Sequence, residues 1–197
     1  MLCGIKLSDL TRNTRLVKTI SQRKINIGQY IIKSLVDKDI NVAFGHKYGC
    51  YSPIYKATNQ HEYFDVVFEE YEKNSGYRAL SYSKNNNNMG VIISTATSGF
   101  ANIMAPIERA KKEKRSLLLL SFFDSEDELK SSPFSAKSKS FIKESVTIKK
   151  PDNFPDEMES LVFYGYTFPA GPVHLNVANE ILGLPVGTTT KDNSLHA

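Results

Sequence analysis

Two spacings of apolar residues alternate along this chain. Residues 27–37 carry apolar side chains at helical spacing, which predicts an amphipathic helix. The runs at 90–95 (GVIIST) and 117–122 (LLLLSF) are short and almost wholly apolar. Such unbroken runs are typical of strands that are covered on both faces of a parallel sheet.

The remaining segments continue this alternation. Four further strands are predicted at residues 41–45, 64–68, 146–148 and 172–177. Further helices are predicted from residue 53, over 70–83, over 97–113 and over 155–164. The tract Asn85–Asn88 is interpreted as a loop, because asparagine favours turns. Strands that alternate with helices imply right-handed crossovers. The prediction is therefore an α/β fold of three layers, α/β/α, around a six-stranded parallel sheet.

The length of 197 residues fits one domain, which we place at residues 25–185. Residues 186–197 are expected to form a flexible tail. Residues 1–24 are expected to form a basic, flexible leader, because residues 11–24 contain arginine and lysine but no acidic residue. An organelle transit peptide is the alternative interpretation of that segment.

Charge and cysteine content exclude several classes of protein. The net charge is only +4, and the basic run Lys111–Arg115 fits a helix C-terminus, so no nucleic-acid partner is predicted. Two cysteines, Cys3 and Cys50, provide neither a disulfide framework nor a thiolate metal site, which favours a reducing, cytoplasmic location. No run is long enough to predict a membrane span, and the four histidines lack metal-ligand spacing.

Ligands of open parallel sheets bind outside the carboxyl ends of the strands, so the residues that follow each strand are the candidates. Glu69, Glu70 and Glu72 follow the second strand, which is expected to be buried. Each is also explained by the positive end of a helix dipole, and spacing alone does not choose among them.

Two small-residue turns are further candidates. Thr95–Gly99 (TATSG) joins a strand to a helix and exposes backbone N–H groups that could hold a polar ligand, although a simple N-cap explains it as well. Gly45 and Gly49 flank a turn that permits close approach of a ligand, and a plain βα loop is the alternative. His46 is the one histidine in these loops.

Three segments together resemble a known family. They are NVAFGHKYGCYSPIYKA after the first helix, the stretch from Tyr71 to Asn102, and AGPVHLNV from Ala170 to Val177. In order and spacing they are similar to the N-terminal pyrimidine-binding (Pyr) domain of thiamine-diphosphate enzymes of the acetolactate synthase family. Gly90, Val91, Thr95 and Asn102 match that pattern without gaps, and Glu72 falls on its glutamate. The resemblance covers residues 25–185.

The resemblance implies a role for each matching residue. Glu72 would be catalytic, since the family glutamate hydrogen-bonds N1′ of the cofactor's aminopyrimidine ring and favours the imino form that removes the thiazolium C2 proton. The implied cofactor-binding residues are Gly45, Gly49, Glu72, Thr95, Thr97, Ser98, Gly99 and Asn102. The cofactor would be thiamine diphosphate with Mg²⁺, and no metal ligand is expected on this chain.

The resemblance also implies partners. Magnesium would be held by a separate diphosphate-binding domain, in cis or in trans, with a Gly-Asp-Gly motif that these 197 residues lack. A homodimer acting as a carboligase or lyase on a small 2-oxo acid is the implied assembly. The chain would then be part of a longer enzyme, a subunit with a separate partner, or a stand-alone relic.

Several positions depart from the family pattern. Its histidine before the glutamate is Tyr71, its Thr-Ser-Gly-Pro-Gly is Thr95–Gly99, its Gly-Tyr-Ala-Arg is Ser81–Lys84, and Phe134–Ala136 lacks the expected glutamine. These departures leave enzyme activity open, and they favour an alternative: a catalytically inactive stand-alone module with an assembly or regulatory role. A nucleotide-binding α/β domain is a third interpretation, for which the phosphate fingerprint is missing.

Overall fold

A computed structural model describes residues 25–46, 53–95, 98–131 and 140–187. The strands are β1 Val42–His46, β2 Asp65–Glu69, β3 Gly90–Thr95, β4 Leu117–Phe123, β5 Glu144–Ile148 and β6 Pro172–Ala178. The helices are α1 Ile27–Val36, α2 Pro53–Asn59, α3 Glu72–Asn86, α4 Ser98–Lys112, α5 Glu126–Ser131 and α6 Phe154–Tyr166, and a 3₁₀ helix spans Asn179–Ile181. The leader 1–24 and most of the expected tail lie outside the described residues.

The six strands form one sheet in the order β2-β1-β3-β4-β6-β5, and every pair is parallel. The predicted six-stranded parallel sheet is therefore confirmed. The chain moves outward from β1 to β2, returns to β3 on the other side of β1, and then continues toward β4. The order of the strands thus reverses between β1 and β3, which makes their carboxyl ends the topological switch point of the sheet.

Helices cover both faces of the sheet, as the three-layer prediction requires. One face packs against α1, α2 and α6 through a large apolar cluster that includes Ile31, Leu118 and Phe154. The other face packs against α3 and α4 through a cluster that includes Ile92 and Ile107. The central strands β3 and β4 are buried almost throughout, because neighbouring strands and helices enclose them on every side.

Two predictions about individual elements need correction. The second strand is an edge strand rather than a buried one, and Phe68 in it is 44% exposed. The Asn85–Asn88 tract is only partly a loop, because α3 continues through Asn86. Asn87 then takes a left-handed conformation (φ 50°) that ends the helix, a conformation that asparagine adopts more readily than most residues.

The outer half of the sheet encloses a buried histidine. His174 on β6 lies between Ser121 on β4, whose Oγ is 2.6 Å from Nε2, and Ser145 on β5, whose Oγ is 2.9 Å from Nδ1. Oγ of Ser121 donates its own hydrogen to Asn176, so it accepts a hydrogen bond from Nε2 of the ring. The neutral ring therefore carries its hydrogen on Nε2, and Nδ1 accepts a hydrogen bond from Oγ of Ser145. Burial lowers the pKa of His174 to about 3, which keeps the ring neutral in the folded protein.

We expect this histidine to make stability depend on pH. Below pH ~6.5 the unfolded chain binds a proton that the folded chain excludes, so the free energy of unfolding falls by up to about 1.4 kcal/mol per pH unit. The loss begins near pH 6.5 and continues toward the folded pKa of about 3. Urea unfolding between pH 7.5 and 5 should show this slope in the wild type and a shallower one in His174→Gln. Equal slopes in the two proteins would contradict the prediction.

No helix among the described residues is both long enough and apolar enough to cross a membrane.

Candidate functional site

A cleft of about 550 Å³ opens at the carboxyl ends of β1 and β3, at the switch point of the sheet. Strand β1 contributes His46, and β3 contributes Thr95. The turn before α3, the start of α3 and helix α4 supply the other lining residues, which are Glu70, Tyr71, Glu72, Lys73, Asn74 and Asn102. The cleft therefore lies where the topology of an open α/β sheet favours a ligand.

The structure distinguishes the three glutamates that spacing could not separate. Glu69 pairs with Arg78 at 2.5 Å, so its carboxylate is committed to an ion pair on the surface of α3. Glu70 is exposed, and its backbone carbonyl is 2.7 Å from Nε2 of His46. Glu72 is half-buried, begins α3 and accepts a hydrogen bond from Nδ2 of Asn102 at 3.0 Å. Glu72 is thus the carboxylate that a second cleft residue orients.

Close packing of α3 against α4 brings Glu72 and Asn102 together. Gly76 lies one turn after Glu72, and a Cβ at this position would come within 2.4 Å of Cγ of Pro106. The missing side chain lets the two helices approach. Pro106 also lacks an N–H group, so the backbone carbonyl four residues earlier, that of Asn102, loses its usual helical partner. A glycine on one helix and a proline on the other therefore shape this end of the cleft.

The end of β1 fixes the first turn of α3. Oγ of Ser75 donates to the backbone oxygen of Gly45 at 2.9 Å, in a buried position. The next residue, His46, contacts the oxygen of Glu70. The periodicity predicts that this helix begins at residue 70. It begins at Glu72 instead, because Tyr71 has extended dihedrals (φ −122°, ψ 131°).

The predicted cofactor-binding residues are distributed unevenly. Glu72, Thr95 and Asn102 line the cleft, and Ser98 and Gly99 form the first turn of α4. Gly45 is not among the residues that line the cleft. A Cβ at this position would come within 2.7 Å of Oη of Tyr55. Its glycine is therefore explained by packing against α2.

Three predicted elements lie outside the described residues. They are Gly49, Thr97 and the segment Phe134–Ala136. The roles assigned to these residues remain predictions.

The cleft contains residues that sequence reasoning did not include among the site residues. His46 was noted as a histidine in a site loop, and Lys73 and Asn74 were not singled out. The signal that could have identified them is position: His46 ends β1, and Lys73 and Asn74 lie in the first turn of the helix that follows β2. Together the lining groups offer carboxylate, amide, hydroxyl and imidazole contacts. The described residues contain no group of three or more His, Cys, Asp or Glu side chains that could hold a metal ion.

Two acetolactate synthases are similar to this chain over most of its length. Acetolactate synthase, mitochondrial, of Schizosaccharomyces pombe is 21% identical over 190 residues, which cover 90% of this chain and 28% of that protein. The acetolactate synthase large subunit of Lactococcus lactis is 22% identical over 186 residues, which cover 91% of this chain and 32% of that protein. The chain thus spans less than a third of the length of these curated relatives.

A family model provides the assignment. The model of the thiamine pyrophosphate enzyme, N-terminal TPP binding domain, matches residues 25–144, which include β1 to β4, α3, α4 and the whole lining of the cleft. The predicted resemblance and the fold agree with this match. The chain belongs to the family of N-terminal TPP-binding domains of thiamine pyrophosphate enzymes.

Proposed function

We propose that this domain forms the pyrimidine side of a thiamine-diphosphate site in an acetolactate-synthase-like enzyme that acts on 2-oxo acids. The observation that carries the proposal is the position of Glu72. Its carboxylate lies at the switch point of the sheet, half-buried, in a cleft large enough for a ring, and a hydrogen bond from Asn102 orients it. Membership of the family is the reason to propose this cofactor, and the matched acetolactate synthases are the reason to propose this reaction class.

The residues of the cleft fit an aminopyrimidine ring. Asn102 donates to Oε2 of Glu72, and the described residues place no hydrogen bond on Oε1, which could contact a ring nitrogen. The lining also includes Thr95, which carries a hydroxyl group. A ring that carries both a nitrogen acceptor and an amino donor would find complementary groups in this cleft.

This chain would contribute to the reaction through its contacts with the pyrimidine ring. When bound, the cofactor supplies a thiazolium C2 carbon whose proton is removed before carbon–carbon chemistry on a 2-oxo acid. Glu72 would hold the hydrogen at N1′ of the pyrimidine ring, and the hydrogen bond from Asn102 would keep the carboxylate oriented for that contact. A hydrogen bond of this kind is stronger where water is excluded, so a closed cleft would favour it.

A second protein surface is therefore part of the proposal. Glu72 is only half-buried, and the segment that leads to it exposes two large aromatic side chains, Phe68 (44%) and Tyr71 (64%). We infer that a diphosphate-binding domain, in cis or in trans, covers this edge and holds Mg²⁺, in a homodimer. The greater length of the relatives leaves room for such a domain. The proposed location is cytoplasmic.

The test is a calorimetric titration of thiamine diphosphate, with and without Mg²⁺, into the chain assembled with its diphosphate-binding domain. We expect saturable binding that depends on Mg²⁺. Asn102→Ala should weaken the binding about tenfold, because Glu72 loses its orienting hydrogen bond. Asn86→Ala, an exposed residue near the opposite end of α3, should leave binding unchanged. The absence of binding to the wild-type assembly would refute the proposal.

The alternative is a catalytically inactive module with an assembly or regulatory role. Position 71, a histidine in the family pattern, is an exposed tyrosine here, and this observation favours the alternative. The same titration separates the two, because an inactive module would join its partner without taking up the cofactor.

A further inference from the structure

His46 makes a contact that the proposed function does not yet use. We propose that His46 is a positioning residue for Glu72. It holds the backbone of the turn between β2 and α3 and thereby orients the carboxylate at the start of α3. This inference rests on the proposed function, because it assigns a role in the same cleft. His46 contacts the turn and lines the cleft, but it takes no part in the reaction itself.

The turn needs such a contact because α3 begins without a cap of its own. Tyr71 is the N-cap residue, and its side chain makes no capping hydrogen bond among the described residues. Its ring is 64% exposed, so it does not anchor the turn by burial either. Serine, threonine, asparagine or aspartate at this position would satisfy a backbone N–H of the first turn. Without that bond, the direction of Glu72 depends on contacts from outside the helix.

Strand β1 supplies two such contacts, one on each side of Glu72 in the sequence. His46 is paired in register with Glu69 on the edge strand, and its ring reaches the oxygen of Glu70 at 2.7 Å. A carbonyl only accepts hydrogen bonds, so Nε2 carries the hydrogen. On the other side, Ser75 donates to the oxygen of Gly45. The last two residues of β1 therefore hold the segment from 70 to 75 at both ends.

The ion pair between Glu69 and Arg78 is a weaker candidate for this role. The side chain of Arg78 is 59% exposed, and ion pairs with exposed partners contribute little to stability. The pair also connects β2 to the second turn of α3 and does not touch Glu70 or Glu72 directly. The hydrogen bond from His46 ends two residues before Glu72, so its loss would change the path of the backbone at the catalytic position itself.

Two variants separate a positioning role from other roles of the imidazole. His46→Ala removes the donor, whereas His46→Gln keeps an N–H donor at a similar reach. In the full chain without cofactor, amide hydrogen exchange over residues 70–75 should accelerate about fivefold to tenfold in His46→Ala and stay near the wild-type rate in His46→Gln. Exchange in β3 and β4 should not change in either variant. His61→Ala, on the loop before β2, is the matched control.

In the complete assembly with thiamine diphosphate and Mg²⁺, kcat should fall about tenfold in His46→Ala, with a smaller change in KM for the 2-oxo acid. His46→Gln should restore most of the loss. Unchanged exchange in His46→Ala, or a glutamine variant as impaired as the alanine variant, would overturn the positioning role while wild-type activity persisted. A wild-type assembly that does not bind the cofactor would refute the proposed function itself, and the exchange data would still report on the hydrogen bond.

Discussion

Glu72→Gln is expected to lower the turnover of the complete, cofactor-loaded enzyme by about 10²–10⁴-fold, the range that a positioned acid–base group contributes. The glutamine side chain has nearly the same size and can still accept the hydrogen bond from Asn102, so the helix pair should remain intact. It cannot exchange a proton with a ring nitrogen. We therefore expect kcat to fall while the affinity for the cofactor changes much less.

Glu70→Gln is the matched control for this experiment. It removes the same charge from the same cleft, two residues earlier, but its side chain is exposed and only its backbone oxygen contacts His46. We expect its kcat to stay within about threefold of the wild type, since surface charges have small effects. Steady-state kinetics at saturating thiamine diphosphate and Mg²⁺ would compare the two variants. Equal turnover of Glu72→Gln and the wild type would remove Glu72 from the mechanism.

The central part of the fold could be predicted because its physical signal is local. Residues 90–95 and 117–122 are continuous apolar runs, and only a sheet covered on both faces buries both sides of such a run. The structure gives β3 the same limits and extends β4 by one residue. The alternation of strands and helices then leaves few topologies, because crossovers are right-handed.

The edge of the sheet was harder to predict. Four of the five residues at 64–68 (FDVVF) are apolar, yet β2 is the outermost strand, and its neighbours leave Phe68 partly exposed. Position in a sheet depends on the order of all strands, which no single segment encodes. The same limit applies to Gly45, whose small size has its physical reason in Tyr55, a residue on a different element.

The choice among the three glutamates shows where local reasoning stops. Glu69, Glu70 and Glu72 share charge, neighbourhood and proximity to a helix start. What separates them is a set of contacts with Arg78, His46 and Asn102, each from a different place in the sequence. The family pattern pointed to Glu72 because it records such tertiary constraints indirectly. The order of the strands adds an independent reason, since it places the cleft between β1 and β3.

The position of α3 links the cleft to the core, and Gly90→Ala tests that link with the largest expected effect on stability. Gly90 begins β3, and a Cβ there would come within 2.1 Å of the backbone oxygen of Ala79 on α3 and 2.8 Å of Cδ2 of Leu117. The first obstacle is helix backbone, which cannot rotate away as a side chain can, so α3 would have to move. We expect a loss of about 3 kcal/mol, at the upper end of overpacking effects.

Such a loss corresponds to a decrease in Tm of roughly 6–12 °C for a chain of this size, measurable by thermal unfolding followed by circular dichroism. Gly183→Ala is the control, because a Cβ at Gly183 would meet no atom within 4 Å, and its Tm should match the wild type. Helix α3 begins at Glu72, so displacing the helix should also weaken thiamine diphosphate binding in the assembled enzyme. If the Tm of Gly90→Ala equalled that of Gly183→Ala, α3 would not pack closely against the backbone of β3. The cleft would then lack the rigid support on which the orientation of Glu72 depends.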